Sequence, residues 1–276
     1  MRLTYWGTRG STPSPGEHTV RYGGNTPCVA LEHEGTRIVL DAGSGIRGVG
    51  RELMAEAGGT IDILLSHVHW DHIQGLPFFA PLYSESWQVR VYGPSPDTMS
   101  LQSALELQMA PPYFPLHFAS VARRLRVTEI TEESRQMGQF QVTGALLRHP
   151  GRTFGYQVSA SGGGRSVSYL TDNELGPPEE WGPLVGFLRG TDVLVHDAMF
   201  TQAEADTRVG WGHSSVERVV DLGVAAGVGQ VALFHHDPYR SDHEMDRLLE
   251  VARVRAAGRA PGMRIDAATE GQSLVL

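Results

Sequence analysis

Between residues 66 and 72 the chain reads Ser66-His67-Val68-His69-Trp70-Asp71-His72, three imidazoles and a carboxylate within six positions. Neutral imidazole nitrogen and carboxylate oxygen are the donors that catalytic zinc sites use. The stretch directly follows Ile61-Asp62-Ile63-Leu64-Leu65, an apolar run that reads as a buried strand. On an extended backbone His67 and His69, two residues apart, point to the same side. Asp71 and His72 face elsewhere once the chain turns. One loop can therefore offer two ligands to one ion and two to its neighbour. A lone histidine would read as core or surface filling; H-x-H-x-D-H at a strand end reads as a metal site.

A loop this short cannot saturate two ions, so further ligands are expected at other strand ends. His149, Asp172 and His235 meet that condition, each following an apolar run. His236 competes with His235, which is favoured because it directly ends its run. His18, His33, His117 and His243 lie in loops or on exposed faces. His213 immediately precedes Ser214-Ser215-Val216-Glu217, an S-x-x-E capping box opening a helix. Backbone amides and the dipole at such a terminus favour anions. His213 there is either a phosphate holder and proton donor or an ordinary loop histidine.

The elements that must position these groups alternate between strands and helices. Strands are expected at 3–6, 28–33 and 37–41, with a Gly/Pro/Ser-rich loop at 7–16 and a tight turn at Glu34-Gly35. Gly43-Ser44-Gly45-Ile46-Arg47-Gly48 satisfies G-x-G-x-x-G, but the next strand ends in Ser66-His67 rather than the acidic residue a dinucleotide fold needs. Those glycines are better explained by a loop passing close under the ligands, with Asp41 accepting protons from their far nitrogens. A helix starting at Ile73 should break at Pro77 or Pro81, and Asp97 should cap a helix to Met109. The apolar, aromatic segment 111–118 is either a pocket roof or a packing loop. Strands at 140–142 and 145–148, a hairpin at 153–160 and 166–170, a helix near 178–188 and a strand at 192–197 follow. Ser241-Asp242-His243-Glu244 is a second capping box, and the chain closes on a short strand near 273–276. A sheet-and-helix half followed by a similar half suggests one four-layer domain over residues 1–276.

Composition narrows the partners. With 41% hydrophobic and 20% charged residues the chain is an ordinary globular one. A net charge of −8 argues against a basic nucleic-acid surface, so a small substrate is easier to defend than long nucleic acid. Arg123, Arg124 and Arg126 form the only arginine cluster. No apolar run approaches the roughly 18 residues of a membrane span, and the first residues lack the apolar segment of a signal peptide. The single Cys28 excludes an internal disulfide and fits a reducing compartment, so a cytoplasmic location is expected. The oligomeric state stays open, a homodimer included.

The His67–His72 pattern resembles the signature of the metallo-β-lactamase superfamily, whose fold is a four-layer αββα sandwich of the α/β (α+β) class. The resemblance implies His67, His69 and His149 on one divalent ion, Asp71, His72 and His235 on a second, and Asp172 bridging. Zinc is the first expectation by ligand preference, with manganese or iron as alternatives. Gly212-His213-Ser214-Ser215 resembles the His-Ser-Thr loop of ribonuclease Z and related phosphodiesterases, and Val195-His196-Asp197-Ala198 resembles that branch's His-Glu-Ala-Thr segment, with Asp197 in place of Glu. Trp6-Gly7-Thr8-Arg9-Gly10 and Asp41-Ala42-Gly43-Ser44-Gly45 look like the same branch. Catalytic roles for Asp71, His213 and Asp197 are thereby implied. Ribonuclease Z carries its tRNA-gripping arm between the lone His and the bridging Asp; here that interval is 172 − 149 = 23 residues, filled by a hairpin. The expectation is a dinuclear hydrolase that cleaves a small phosphodiester or nucleotide through a metal-bridging hydroxide, with His213 supporting the leaving side. Lactone, thioester or β-lactam hydrolysis on the same core is the alternative, and a non-catalytic metal-binding protein is a third. A flavodiiron role fits less well, because that pattern has Glu where this chain has His69.

Overall fold

The computed structural model describes residues 1–276. In chain order the elements are β1 (Arg2–Gly7), β2 (Cys28–His33), β3 (Thr36–Leu40), α1 (Ile46–Leu53), β4 (Gly59–Leu64) and α2 (Trp70–Ile73). Then come β5 (Trp87–Gly93), α3 (Leu101–Gln108), β6 (Leu125–Glu129), β7 (Arg135–Met137), β8 (Phe140–Leu147), β9 (Thr153–Ala160) and β10 (Ser166–Leu170). The remainder is α4 (Gly182–Phe187), β11 (Val193–Asp197), α5 (Gln202–Ala205), α6 (Val216–Ala226), β12 (Gln230–Phe234), α7 (Asp242–Ala257), β13 (Arg264–Ala267) and β14 (Ser273–Val275).

The strands form two seven-stranded sheets, ordered β14-β1-β2-β3-β4-β5-β6 and β13-β12-β11-β10-β9-β8-β7. Each is antiparallel at one end and parallel at the other, through β3-β4-β5-β6 and β10-β11-β12-β13. Three apolar clusters account for the layering. One fills the space between sheets, with Leu40, Leu64, Tyr156, Val195 and Phe234. A second packs α1 and α3 on the outer face of the first sheet through Ile46, Val49, Leu101 and Leu105, and a third packs α6 and α7 on the second through Val216, Val219, Val220, Met245 and Ala252. Helix, sheet, sheet, helix is the four-layer αββα order that the sequence suggests.

Strand β4 shows why its sequence reads as continuous rather than alternating. Ile61 and Ile63 face the helical layer and Leu64 the space between sheets, so both faces are buried. Asp62 is tolerated there because Arg90, its registered neighbour on β5, meets it with two nitrogens at 2.5 and 2.6 Å.

Several element boundaries differ from the sequence expectation. The helix expected from Ile73 begins at Trp70 and so carries Asp71 and His72, after which Pro77 and Pro81 leave only short 3₁₀ turns. Ser100 rather than Asp97 caps α3, because its hydroxyl accepts the Ser103 amide. Ser215 rather than Ser214 caps α6, its hydroxyl accepting from Arg218 N at 3.2 Å, so Ser214 and Glu217 form no capping box. The box at Ser241 and Glu244 is present, and Thr201 and Glu204 make another at α5. The short strands β7 and β13 were not expected.

Candidate metal centre

Every sequence-predicted ligand sits just beyond the carboxyl end of a strand, where open α/β sheets place their ligands. His67, His69, Asp71 and His72 follow β4, His149 follows β8, Asp172 follows β10 and His235 follows β12. The two sheets meet there, and the structure brings all seven side chains together.

They fall into two groups. Imidazole nitrogens of His67, His69 and His149 lie within 4.8 Å of one another, as do ligand atoms of Asp71, His72, Asp172 and His235. Within the first group His149 Nε2 is 3.0 Å from His69 Nδ1. Within the second, His72 Nε2 is 3.2 Å from Asp71 Oδ2 and 3.1 Å from Asp172 Oδ2, while His235 Nε2 is 3.2 Å from both. Asp172 faces both groups. Its other oxygen, Oδ1, is 3.7 Å from His149 Nε2 and 4.0 Å from His67 Nε2. His236 is turned away: its Nε2 donates to the Ala268 carbonyl at 2.8 Å, and its ring packs edge-on against Tyr22.

The far nitrogens are tied so that the near ones stay free. Asp41 Oδ2 holds His72 Nδ1 at 2.7 Å, and the same carboxylate accepts from Ser66 N, Ser66 Oγ and Tyr169 OH at 2.7–2.8 Å. His149 Nδ1 donates to the Gly212 carbonyl at 3.0 Å. Ser66 Oγ lies 3.0 Å from His67 Nδ1, and Ser11 N donates to Asp71 Oδ2 at 2.8 Å. This pattern fixes tautomers and ring planes as outer partners of metal-bound histidines do.

A test of fit to divalent ions comes from atoms left without partners. His67 Nε2 and His72 Nε2 are buried, make no hydrogen bond, and belong to the facing sets described above. A native fold rarely buries such atoms unpaired, whereas nitrogen-rich sets with carboxylate oxygens suit zinc, iron or manganese. Burial, reinforced by neighbouring imidazoles, lowers the titration of His67 far below the usual histidine value. Burial likewise lowers His69 and His149. The three-histidine group is thus held neutral, the form that can ligate. Burial raises the carboxyl of Asp172, but His235 and His72 outweigh it and keep it ionised.

Backbone conformation converges on the same spot. Of five non-glycine residues with positive φ, four are Ser11, Asp41, Asp172 and His235, at 62°, 61°, 51° and 56°. Left-handed backbone at non-glycine residues persists where surroundings over-determine it, and such residues cluster at functional sites. The glycine-rich loop after β3 is packed as expected: a Cβ on Gly43 would overlap the Asp71 carbonyl, and one on Gly45 the Trp6 carbonyl.

His213 lies beside the centre. Its Nδ1 donates to Asp197 Oδ2 at 2.8 Å, and its ring stacks on His235 with centroids 5.0 Å apart and planes 20° from parallel. Asp197 is fully buried at the end of β11, also accepting Met199 N at 3.0 Å. Burial lowers the His213 titration, but the Asp197 carboxylate overrides that and raises it to about 9.

Ser11, Ser66, Tyr169 and the Gly212 carbonyl complete this site and were not expected from the sequence. Tyr169 looks like any apolar strand residue, and its partner Asp41 lies 128 residues away. Ser66, adjoining His67, was the one locally visible signal.

Comparison with known proteins agrees with this fold. A beta-lactamase superfamily domain matches residues 36–236. A ribonuclease Z of Natronomonas pharaonis is 25% identical over 280 residues, covering 85% of this chain and 86% of that protein. Unliganded yeast PDE1 superimposes with a TM-score of 0.74 at 17% identity, covering 100% of this chain and 99% of that one. A diphosphatase from the PhnP family superimposes at 0.70 with 19% identity, covering 100% and 97%.

Proposed function

The chain belongs to the beta-lactamase superfamily, and we propose that it is a dinuclear metal-dependent hydrolase acting on a small phosphodiester or nucleotide. The observation that carries the reading is Asp172, which turns one oxygen toward His67 and His149 and the other toward His72 and His235. In this reading His67, His69 and His149 hold one ion, Asp71, His72 and His235 the other, and Asp172 both. Zinc fits the nitrogen-rich set; manganese or iron would fit as well. Such ions would supply acidified water at neutral pH and neutralise charge developing on a phosphoryl group. Residues 1–276 act as one hydrolase domain, because the ligands come from both sheets.

The chain's own groups orient and transfer the proton. Asp197 engages His213 Nδ1, which leaves Nε2 free to donate to a leaving oxygen. Asp71, fixed by the Ser11 amide, sits beside His72 and His235 and would orient the attacking side. Trp70 and Trp211, exposed at 78% and 61%, neighbour His69 and Gly212 in sequence and offer apolar surface to a substrate's organic part. A ribonuclease Z relative and a diphosphatase of the same fold support phosphoester chemistry. The short 149–172 interval and the net charge of −8 favour a small substrate over long nucleic acid.

The test is hydrolysis of bis(p-nitrophenyl) phosphate by metal-loaded protein, run beside a lactone panel. Asp172→Ala should lose both hydrolysis and metal loading. His213→Ala should retain metal while turnover falls roughly 10²–10⁴-fold. Turnover on lactones alone would shift the reading to ester hydrolysis, and unaltered His213→Ala turnover would remove that residue from the mechanism.

A further inference from the structure

The two halves of the centre are anchored differently. His72 is held from beneath by Asp41, a fully buried carboxylate with four donors. His149, the third histidine of the other half, has its far nitrogen Nδ1 held by the Gly212 carbonyl at 3.0 Å. That carbonyl belongs to the loop between α5 and α6, where Val209 and Trp211 are 74% and 61% exposed. Little apolar burial fixes such a loop. Its outer part is steadied by Arg208, whose guanidinium lies 5.0 Å from the Phe200 ring centre and 5.8 Å from that of Trp211.

The inner part is clasped by one carboxylate. Glu174 Oε2 accepts Gly210 N at 2.9 Å and Gly212 N at 2.8 Å, and Oε1 also accepts Gly210 N at 3.0 Å. The Glu174 backbone is tied to the same segment, since its amide donates to the Arg148 carbonyl at 2.8 Å, beside His149. Asn173 Oδ1 accepts the Arg148 amide at 3.2 Å. Gly212 has φ 86°, and a Cβ there would overlap His149 Nδ1 and crowd Pro150. Carboxylate and glycine thus act on one contact from two directions.

We infer that Glu174 is a positioning residue which, through the amides of Gly210 and Gly212, sets the carbonyl that orients His149 and so tunes the three-histidine half of the centre independently of the other half. The inference rests on the dinuclear reading above. Outer partners of ligating histidines are worth about 10–100-fold in metal affinity, and that is the expected loss for Glu174→Ala at one ion. Glu174→Gln should lose less than Glu174→Ala, because a single oxygen accepts both amides and the amide side chain keeps one.

The experiment is zinc titration of the full chain against a competing chelator, with His149→Ala marking which binding step belongs to the three-histidine half. Glu174→Ala should weaken that step alone, with partial rescue in Glu174→Gln, and Gly212→Ala should weaken the same step even if Glu174→Ala fails to fold. Unchanged affinity in Glu174→Ala or Gly212→Ala overturns the inference. So does equal weakening of both steps, which would make Glu174 a general support of the fold. Wild-type protein that takes up no zinc would instead overturn the dinuclear reading, and the inference with it.

Discussion

Replacing Asp41 by Asn perturbs the centre from its base with little change in shape. The carboxylate is fully buried and accepts four hydrogen bonds, from His72 Nδ1, Ser66 N, Ser66 Oγ and Tyr169 OH, at 2.7–2.8 Å. Three of these are made by Oδ2 and one by Oδ1. The amide oxygen would therefore take the Oδ2 position, leaving the amide nitrogen against the Ser66 N–H. Two buried donors left facing each other unpaired, the Ser66 N–H and the new amide N–H, cost about 1–3 kcal/mol each, and three bonds that lose charge assistance lose about 1 kcal/mol each. Asn tolerates the φ of 61° at this position, so backbone strain adds nothing. The sum, about 5–9 kcal/mol, is a large fraction of a typical stability of about 5–15 kcal/mol. The melting temperature should fall by on the order of 10 °C. His72 loses its strongest orienting partner, so affinity for the ion it faces should drop about 10–100-fold, while the step marked by His149→Ala stays as in the wild type. Thermal melts and chelator-competed zinc titration measure both. Wild-type zinc affinity in folded Asp41→Asn protein would refute the claim that Asp41 orients His72.

Tyr156→Phe removes the buried hydroxyl that donates to the Leu65 carbonyl at 2.6 Å, just before the ligand loop. It should destabilise by about 1–2 kcal/mol, read from the urea midpoint; a shift within error would show that the carbonyl finds another donor. Burial raises the Glu204 carboxyl, but Arg240 at 2.7 Å and the Thr201 cap outweigh it and bring it down to about 2 from 4.5. A depressed folded-state value means that the contribution is present above pH 4.5 and lost as pH falls toward 2. Glu204→Gln should therefore be less stable than wild type at pH 6, with the gap narrowing through that window. A gap independent of pH would assign the effect to packing.

Much of this organisation could be read from residues alone because it is local. The H-x-H-x-D-H loop, the strand before it and the capping box at Ser241 each depend on neighbours in sequence. The remaining candidate ligands, His149, Asp172 and His235, which the structure brings to the same place, were reachable because strand ends are recognisable and because the chain resembles a known superfamily. The supports were not, since each joins distant segments: Tyr169 to Asp41, Ser11 to Asp71, Glu174 to Gly212. Cap positions slipped by a residue or more where two capping side chains lie close together in sequence. Ser214 spends its hydroxyl on the Asn173 carbonyl, so the cap of α6 passes to Ser215. Likewise Ser100, not Asp97, meets the free amides of α3.

The most direct test is anomalous diffraction from crystals grown with zinc. Two ions are expected, one against His67, His69 and His149, the other against Asp71, His72 and His235, with Asp172 touching both. A single ion, or zinc bound away from these side chains, would contradict the dinuclear reading.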